Sequence, residues 1–280
     1  MTSQLRLTAW KRNAGAAVSA VLAAAIAGCG GQSMSSPSAN ITGNWEFTAM
    51  ATSGTTDAVP VSVSLPVFLT SNNGSVSGNV VLPPATALFC VASCCGGLLS
   101  EMDPSLTGTV DAKGDLTLGS TGPMGSPVFS MSGVVNGAAM SGGSFSLTGA
   151  CGAQGTIAGT EYPAIDGTYT GSVASQNLGQ NFTVTLVLNQ SIGPNSSGFL
   201  GLTGTLSLSG YSCLTSTALQ VSTSFVGNSF GGELNITAKE AFGYTGTLSA
   251  DGKTIALTYG LAGAGGSCNA DYGKGTLTLQ

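Results

Sequence analysis

Apolar and polar side chains alternate along most of this chain with a period of two. Val59, Val61, Val63, Leu65, Val67 and Leu69 form one such run, and Phe182, Val184, Leu186 and Leu188 form another. Leu200, Leu202, Leu206 and Leu208 follow, then Ile255, Leu257 and Tyr259, then Leu277 and Leu279. Strict alternation sets one face of a strand in a core and the other in water. Turn residues separate the runs, as at Ser71-Asn72-Asn73-Gly74, Asp111-Ala112-Lys113-Gly114, Asn136-Gly137, Pro194-Asn195 and Ala250-Asp251-Gly252-Lys253. Outside the first 28 residues no segment carries a helical stripe. The pattern predicts an all-β chain of short antiparallel strands with hairpin-length links. Glycines recur inside the runs, at Gly78, Gly108, Gly133, Gly204, Gly227 and Gly246. A mid-strand glycine weakens a flat strand, so its repeated use points to bending or close packing. A closed barrel needs such curvature, and a barrel-like sandwich can use it too.

The pattern also repeats. Ile41-Thr42-Gly43-Asn44-Trp45 returns as Ile165-Asp166-Gly167-Thr168-Tyr169. The region Gly74–Val80 loosely matches Gly198–Leu206, and Ser105-Leu106-Thr107-Gly108 matches Ser224-Phe225-Val226-Gly227. Near the ends, Gly149-Ala150-Cys151-Gly152 with Gly155-Thr156-Ile157 matches Gly266-Ser267-Cys268-Asn269 with Gly275-Thr276-Leu277. Matches in the same order predict two tandem units, 41–163 and 164–280, each of about eight strands and each a barrel or barrel-like sandwich.

The start of the chain has a different grammar. Arg6, Lys11 and Arg12 precede an apolar stretch from Ala14 to Ala27, which ends in Ile26-Ala27-Gly28-Cys29. Positive charge, a short apolar run and small residues describe a cleavable secretory signal, and the run is too short for a membrane span. Leu22 to Cys29 resembles the lipobox of bacterial lipoproteins. That resemblance implies cleavage after residue 28, acylation of Cys29, and a membrane as partner through the acyl chains. Residues 29–40 then form a Ser-rich, uncharged tether. Gly30 after Cys29, where Asp often marks inner-membrane retention, implies sorting to the outer membrane.

Charge and cysteine change the picture next. Only 7% of residues are charged, and removal of residues 1–28 leaves Lys113, Lys239, Lys253 and Lys274 against twelve acids, a net charge of 4 − 12 = −8. Such a surface disfavours nucleic acid. With Cys29 acylated, six cysteines remain, an even number that in an exported chain predicts disulfides. Cys213 and Cys268 are the only cysteines of the second unit and should pair. In the first unit the expected pairing is Cys94–Cys151 with Cys90–Cys95, while Cys90–Cys151 stays open. The group Cys90-x3-Cys94-Cys95 lacks zinc-ligand spacing, and the chain contains no His, so no metal or other cofactor is expected.

Without His, Ser-His-Asp chemistry and the usual activated Cys are excluded. Paired carboxylates remain: Asp111 with Asp115 around a turn, and Glu101 with Asp103 beside Pro104. Acids at turns ordinarily cap backbone N–H groups, and no catalytic residue is assigned. Glu233 and Asp271 have no acidic counterpart in the first unit.

Gly43-Asn44-Trp45 resembles the Gly-x-Trp opening of the calycin group, the lipocalins and avidins. The resemblance implies an eight-stranded barrel and makes Trp45 and Tyr169 candidate ligand-binding residues. It does not carry biotin binding, since Trp45 is the one Trp after residue 28. The alternative for both rings is a plug at the closed end of a core. As a whole the chain resembles Gly/Ser/Thr-rich duplicated bacterial lipoproteins. The expectation is a lipid-anchored, non-catalytic envelope protein that binds or displays, or else a carrier of small hydrophobic ligands.

Overall fold

A computed structural model describes residues 38–54, 62–80, 105–120, 129–148, 152–214, 218–237, 240–263, 268 and 270–280. These form sixteen strands and no α-helix. Eight make the first barrel: β1 (Gly43–Gly54), β2 (Ser62–Asn72), β3 (Ser75–Val80), β4 (Ser105–Val110), β5 (Asp115–Ser120), β6 (Phe129–Asn136), β7 (Ala139–Leu147) and β8 (Ala153–Tyr162). Each pairs antiparallel with the next, and β8 closes on β1. The second set is β9 (Gly167–Ser175), β10 (Asn181–Pro194), β11 (Leu200–Ser209), β12 (Ala218–Phe225), β13 (Ser229–Asn235), β14 (Ala241–Leu248), β15 (Thr254–Ala262) and β16 (Tyr272–Leu279).

The alternation is realised in the described runs except at Leu279, which is exposed at the chain's last strand, and Val59 and Val61 lie outside the described residues. Val63, Leu65, Val67 and Leu69 on β2 are buried, as are Phe182, Val184, Leu186 and Leu188 on β10. Half of their neighbours on the outer face are Ser or Thr, as at Ser62, Ser64, Thr70, Thr183 and Thr185, and these hydroxyls take the place of charge in keeping the walls wet. Each barrel therefore has its own apolar core. Mid-strand glycines serve both expected ends. A Cβ at Gly108 would collide with the Thr117 carbonyl, and one at Gly204 with the Val187 carbonyl. Gly246 lies beneath the Phe230 ring.

The ladders correct one internal match. Gly43 stands opposite Leu69, and Leu69 opposite Gly78; likewise Gly167 stands opposite Leu188, and Leu188 opposite Gly204. Gly78 then faces Leu106, and Gly204 faces Val221. Gly108 therefore corresponds to Thr223 and not to Gly227. The expected Cys94–Cys151 pairing rested on counting fourteen residues back from Gly108 as Cys213 lies fourteen before Gly227, and with Gly108 matched to Thr223 that count no longer selects Cys94 over Cys90. Cys90, Cys94, Cys95 and Cys151 lie outside the described residues.

The two barrels differ at one seam. In the first, β4 and β5 share a ladder from Leu106 opposite Ser120 to Val110 opposite Leu116. Their counterparts β12 and β13 are the two edges of the second sheet. Among the described residues they share no ladder, but an isolated bridge between Val226 and Ser229 and a bond from Thr223 Oγ1 to the Gly231 carbonyl (2.6 Å) join them beside their turn.

That same turn joins the barrels. Asn44 on β1 is buried, and its Nδ2 donates to the Gly227 carbonyl (2.7 Å) while the Gly227 N–H donates to its Oδ1 (2.7 Å). The side-chain amide thus replaces a strand neighbour for one peptide. Gly227 has φ +74°, and a Cβ there would press on Pro66 at 2.8 Å, so glycine is required twice over. Asn228 adds a backbone N–H to Glu46 Oε2 (3.2 Å) and its Nδ2 to the Tyr162 hydroxyl (3.3 Å).

Candidate functional site

Trp45 and Tyr169 occupy equivalent places at the start of each barrel, and both are buried. Trp45 Nε1 donates to the Ile41 carbonyl (3.0 Å), and its ring stacks on Phe47 at 5.8 Å. The Tyr169 hydroxyl donates to the Gly252 carbonyl (3.0 Å). Each large ring has its polar atom satisfied by backbone while its body fills the barrel end. Neither lines any of the three hollows described below.

Asp271 is the polar centre that sequence reasoning passed over. It precedes β16, is fully buried, and collects donors from across one end of the second barrel. Its Oδ1 accepts from Ser175 Oγ (2.7 Å) and the Asn177 N–H (3.2 Å). Its Oδ2 accepts from the hydroxyls of Tyr211 (2.8 Å) and Tyr259 (2.6 Å). Behind them Phe182 packs on Tyr211 at 4.5 Å, and Phe242 stacks on Tyr259 at 5.2 Å. The Cys213–Cys268 disulfide ties the same two connections, two residues beyond Tyr211 and three before Asp271.

The electrostatics of this cluster oppose proton transfer. Burial pushes the Asp271 carboxyl up, but bonds from Tyr259, Ser175, Tyr211 and the Asn177 N–H together hold it below the usual carboxylate range. Burial raises both phenols, and their bonds to Asp271 raise them further. At neutral pH the acid stays ionised and the phenols stay protonated, so no group here is poised near neutrality to exchange a proton. The arrangement fastens loops.

Other acids cap turns, as expected. Asp111 Oδ1 accepts from the N–H groups of Lys113 (2.7 Å) and Asp115 (2.9 Å). Asp251 accepts from Ser249 Oγ (2.7 Å) and the Lys253 N–H (3.1 Å). Glu101, Asp103 and Cys29 lie outside the described residues. Among the described residues no three His, Cys, Asp or Glu side chains gather as a metal site.

Among the described residues, hollows open to solvent at several places, three of them as follows. One of about 600 Å³ lies on the first barrel's wall, ringed by hydroxyls including Thr117, Ser130, Ser132, Ser144 and Thr156. Another of about 350 Å³ crosses the register row Glu233, Gly243, Gly260, Tyr272 of the second. The third, about 320 Å³, sits where the barrels meet, with Glu46, Ser64 and Pro66 on one side and Phe199, Val226 and Phe230 on the other. Glu46 is half-buried there; its Oε1 accepts from Ser64 Oγ (2.6 Å), and it has no cationic partner among the described residues. Sequence spacing could not have found this cleft, because Glu46 and Asn228 are 182 positions apart. No protein-family model matches this sequence, and no curated protein matches it.

Proposed function

We propose that the chain is an exported lipoprotein, held at an outer membrane by acylated Cys29, whose two barrels serve as a non-catalytic binding or display body. The observation that carries this reading is the run Leu22–Cys29 behind Arg6, Lys11 and Arg12, followed by an uncharged tether. The Cys213–Cys268 disulfide supports it, since such bonds persist in oxidising compartments. A chain without His, whose one described buried carboxylate is fixed between phenols, supports a body without catalysis or cofactor. Its acidity speaks against nucleic acid as a partner. Barrel interiors filled by side chains such as Trp45, Phe47, Leu186 and Leu188 favour display over carriage of a small hydrophobic ligand.

Metabolic labelling with an alkyne fatty acid in a diderm host tests the reading. The expected result is a labelled protein that pellets with outer membranes, and a Cys29→Ala variant that is unlabelled and released. A Cys29→Ala chain that still takes label and pellets would overturn the anchor. Recovery of the wild type with inner-membrane vesicles would overturn the sorting.

A further inference from the structure

We infer that the cleft between the barrels is a binding site for a small aliphatic amine, which enters as the ammonium ion with its charged head on Glu46. The carboxylate there is held in place but not neutralised. Its Oε1 accepts from Ser64 Oγ (2.6 Å) and its Oε2 from the Asn228 N–H (3.2 Å), and both donors are uncharged. An ionised carboxylate offers about four lone-pair sites, so roughly half of its capacity is unspent. By contrast Asp271 is fully buried and takes four donors. Glu46 is half-buried, lines the cleft of about 320 Å³, and has no cationic partner among the described residues. A carboxylate partly withdrawn from water attracts a cation more strongly than one fully in it.

The duplication shows what is particular to this place. Glu46 stands opposite Pro66 in the β1–β2 ladder, and the equivalent pair in the second barrel is Thr170 opposite Thr185. Those two hydroxyls lie 3.5 Å apart and bond to each other. Where the first barrel's wall faces the other copy, the self-satisfied pair is replaced by an acid and a proline.

The cleft is preformed. Asn44, Phe68 and Asn79 make one register row across β1, β2 and β3, and all three touch the second barrel. Asn44 bonds Gly227, Phe68 packs against the second core, and Asn79 Nδ2 donates to the Ser196 carbonyl (3.5 Å). The next row, Glu46 and Pro66, borders the hollow beside this joint. Across from it stands Phe199, half-buried and outside the core. Its N–H donates to Asn195 Oδ1 (3.1 Å) and its carbonyl accepts from the Asn195 N–H (2.8 Å), so a fixed turn presents the ring. A rigid hollow at such a joint loses little freedom when a ligand enters.

Size and lining select the ligand. At about 30 Å³ per water the hollow holds about ten water-sized groups, enough for a short alkyl chain with a polar head. Pro66 and Phe199 suit the chain, while the hydroxyls of Ser64 and Ser229 can accept N–H bonds that Glu46 leaves over. Twelve acids against seven bases favour the approach of any cation. The proposal rests on the binding role above and gives it a ligand class. The two fail separately, because anchorage is read by Cys29→Ala labelling and the cleft by amine titration.

The test titrates n-pentylammonium into the nitrogen-15-labelled full chain in a nonionic detergent. n-Pentanol, which lacks the charge, and tetramethylammonium, which lacks the N–H groups, are the controls. The Asn228 and Ser229 amides should shift saturably with a dissociation constant of about 1 mM, within reach of a ligand of six non-hydrogen atoms. Both controls should bind at least about tenfold more weakly, and added salt should weaken pentylammonium but not pentanol. Glu46→Gln, which removes the charge, should weaken pentylammonium about tenfold and leave pentanol unchanged. Phe199→Ala, which spares the Asn44–Gly227 joint, should weaken both about threefold. The pentylammonium–pentanol comparison on the unaltered chain reads the charge without any substitution. Equal affinity for the two would make the hollow merely apolar and overturn the proposal. Saturable shifts that avoid Asn228 and Ser229, no shift at about 20 mM amine, or unchanged affinity in Glu46→Gln would do the same.

Discussion

Replacing Asp271 by Asn tests whether the buried carboxylate fastens the end of the second barrel. Asn can keep an oxygen toward Ser175 and the Asn177 N–H, but it turns an NH2 toward the Tyr211 and Tyr259 hydroxyls. Two charge-assisted bonds are lost, each worth about 1.5–3 kcal/mol, and relief of the buried charge returns part of that. The net cost at pH 7 should be about 3 kcal/mol, and Asp271→Ala, which strands all four donors, should cost about 4–5 kcal/mol. The sign of the pH dependence follows from the lowered carboxyl. A group whose folded pKa is depressed adds stability above its unfolded value, about 3.9, and loses it as pH falls through the folded value. The gap between wild type and Asn should therefore be full at pH 7 and shrink below about pH 4, because the wild type protonates while Asn does not change. Guanidinium unfolding of oxidised protein provides the assay. Near-ultraviolet circular dichroism follows the second barrel, which holds Tyr169, Tyr211, Tyr244, Tyr259 and Tyr272, and Trp45 fluorescence follows the first. A difference below about 0.5 kcal/mol at pH 7, the range of an ordinary surface change, would refute the reasoning. So would a larger gap that does not move with pH.

Two further outcomes follow from the same architecture. Reducing Cys213–Cys268, which closes a separation of 55 residues, should lower the stability of the second barrel by about 3–4 kcal/mol. The Trp45 transition should shift much less, and equal shifts in both probes would contradict separate cores. Asn44→Ala removes both bonds to the Gly227 peptide and leaves its buried N–H and carbonyl unpaired, at a cost of about 2–3 kcal/mol. The Trp45 and tyrosine transitions should then separate on a denaturant axis, and a single unchanged transition would show that the barrels are coupled elsewhere.

What could be read from the sequence was local. Val63 to Leu69 and Phe182 to Leu188 declare strands because the period of two is a property of neighbours. Cys213 and Cys268 could be paired because the second unit offers no other choice. The Gly-x-Trp opening placed Trp45 and Tyr169 at equivalent positions, and both are buried. Asp271 escaped because Ser175 and Tyr211 reach it from 96 and 60 positions away. A lone acid before a strand looks like any turn acid, although its nearness to Cys268 and the Tyr211–Cys213 pair was a usable signal. Asn44 meets Gly227 from 183 positions away, and only the folding of two separate sheets brings them together. That β12 and β13 are the edges of the second sheet was hidden for another reason: a strand has the same alternation whether or not it carries a neighbour on both sides.

The bond between Asn44 and Gly227 joins surfaces that are not equivalent, the opening strand of one copy and the fourth hairpin of the other. Between identical subunits a contact of this head-to-tail kind is not self-complementary, and it propagates into a ring or a filament. Here propagation stops after one step. The place of Asn44 in the second barrel belongs to Thr168, and the fourth hairpin of the first barrel ends in Asp111-Ala112-Lys113-Gly114, a longer turn built around its own Asp. Each copy has kept one half of the joint and lost the other. The pair is thus a terminated polymer of length two, and restoring Asn at 168 with the second barrel's turn in the first would supply both halves for growth beyond two.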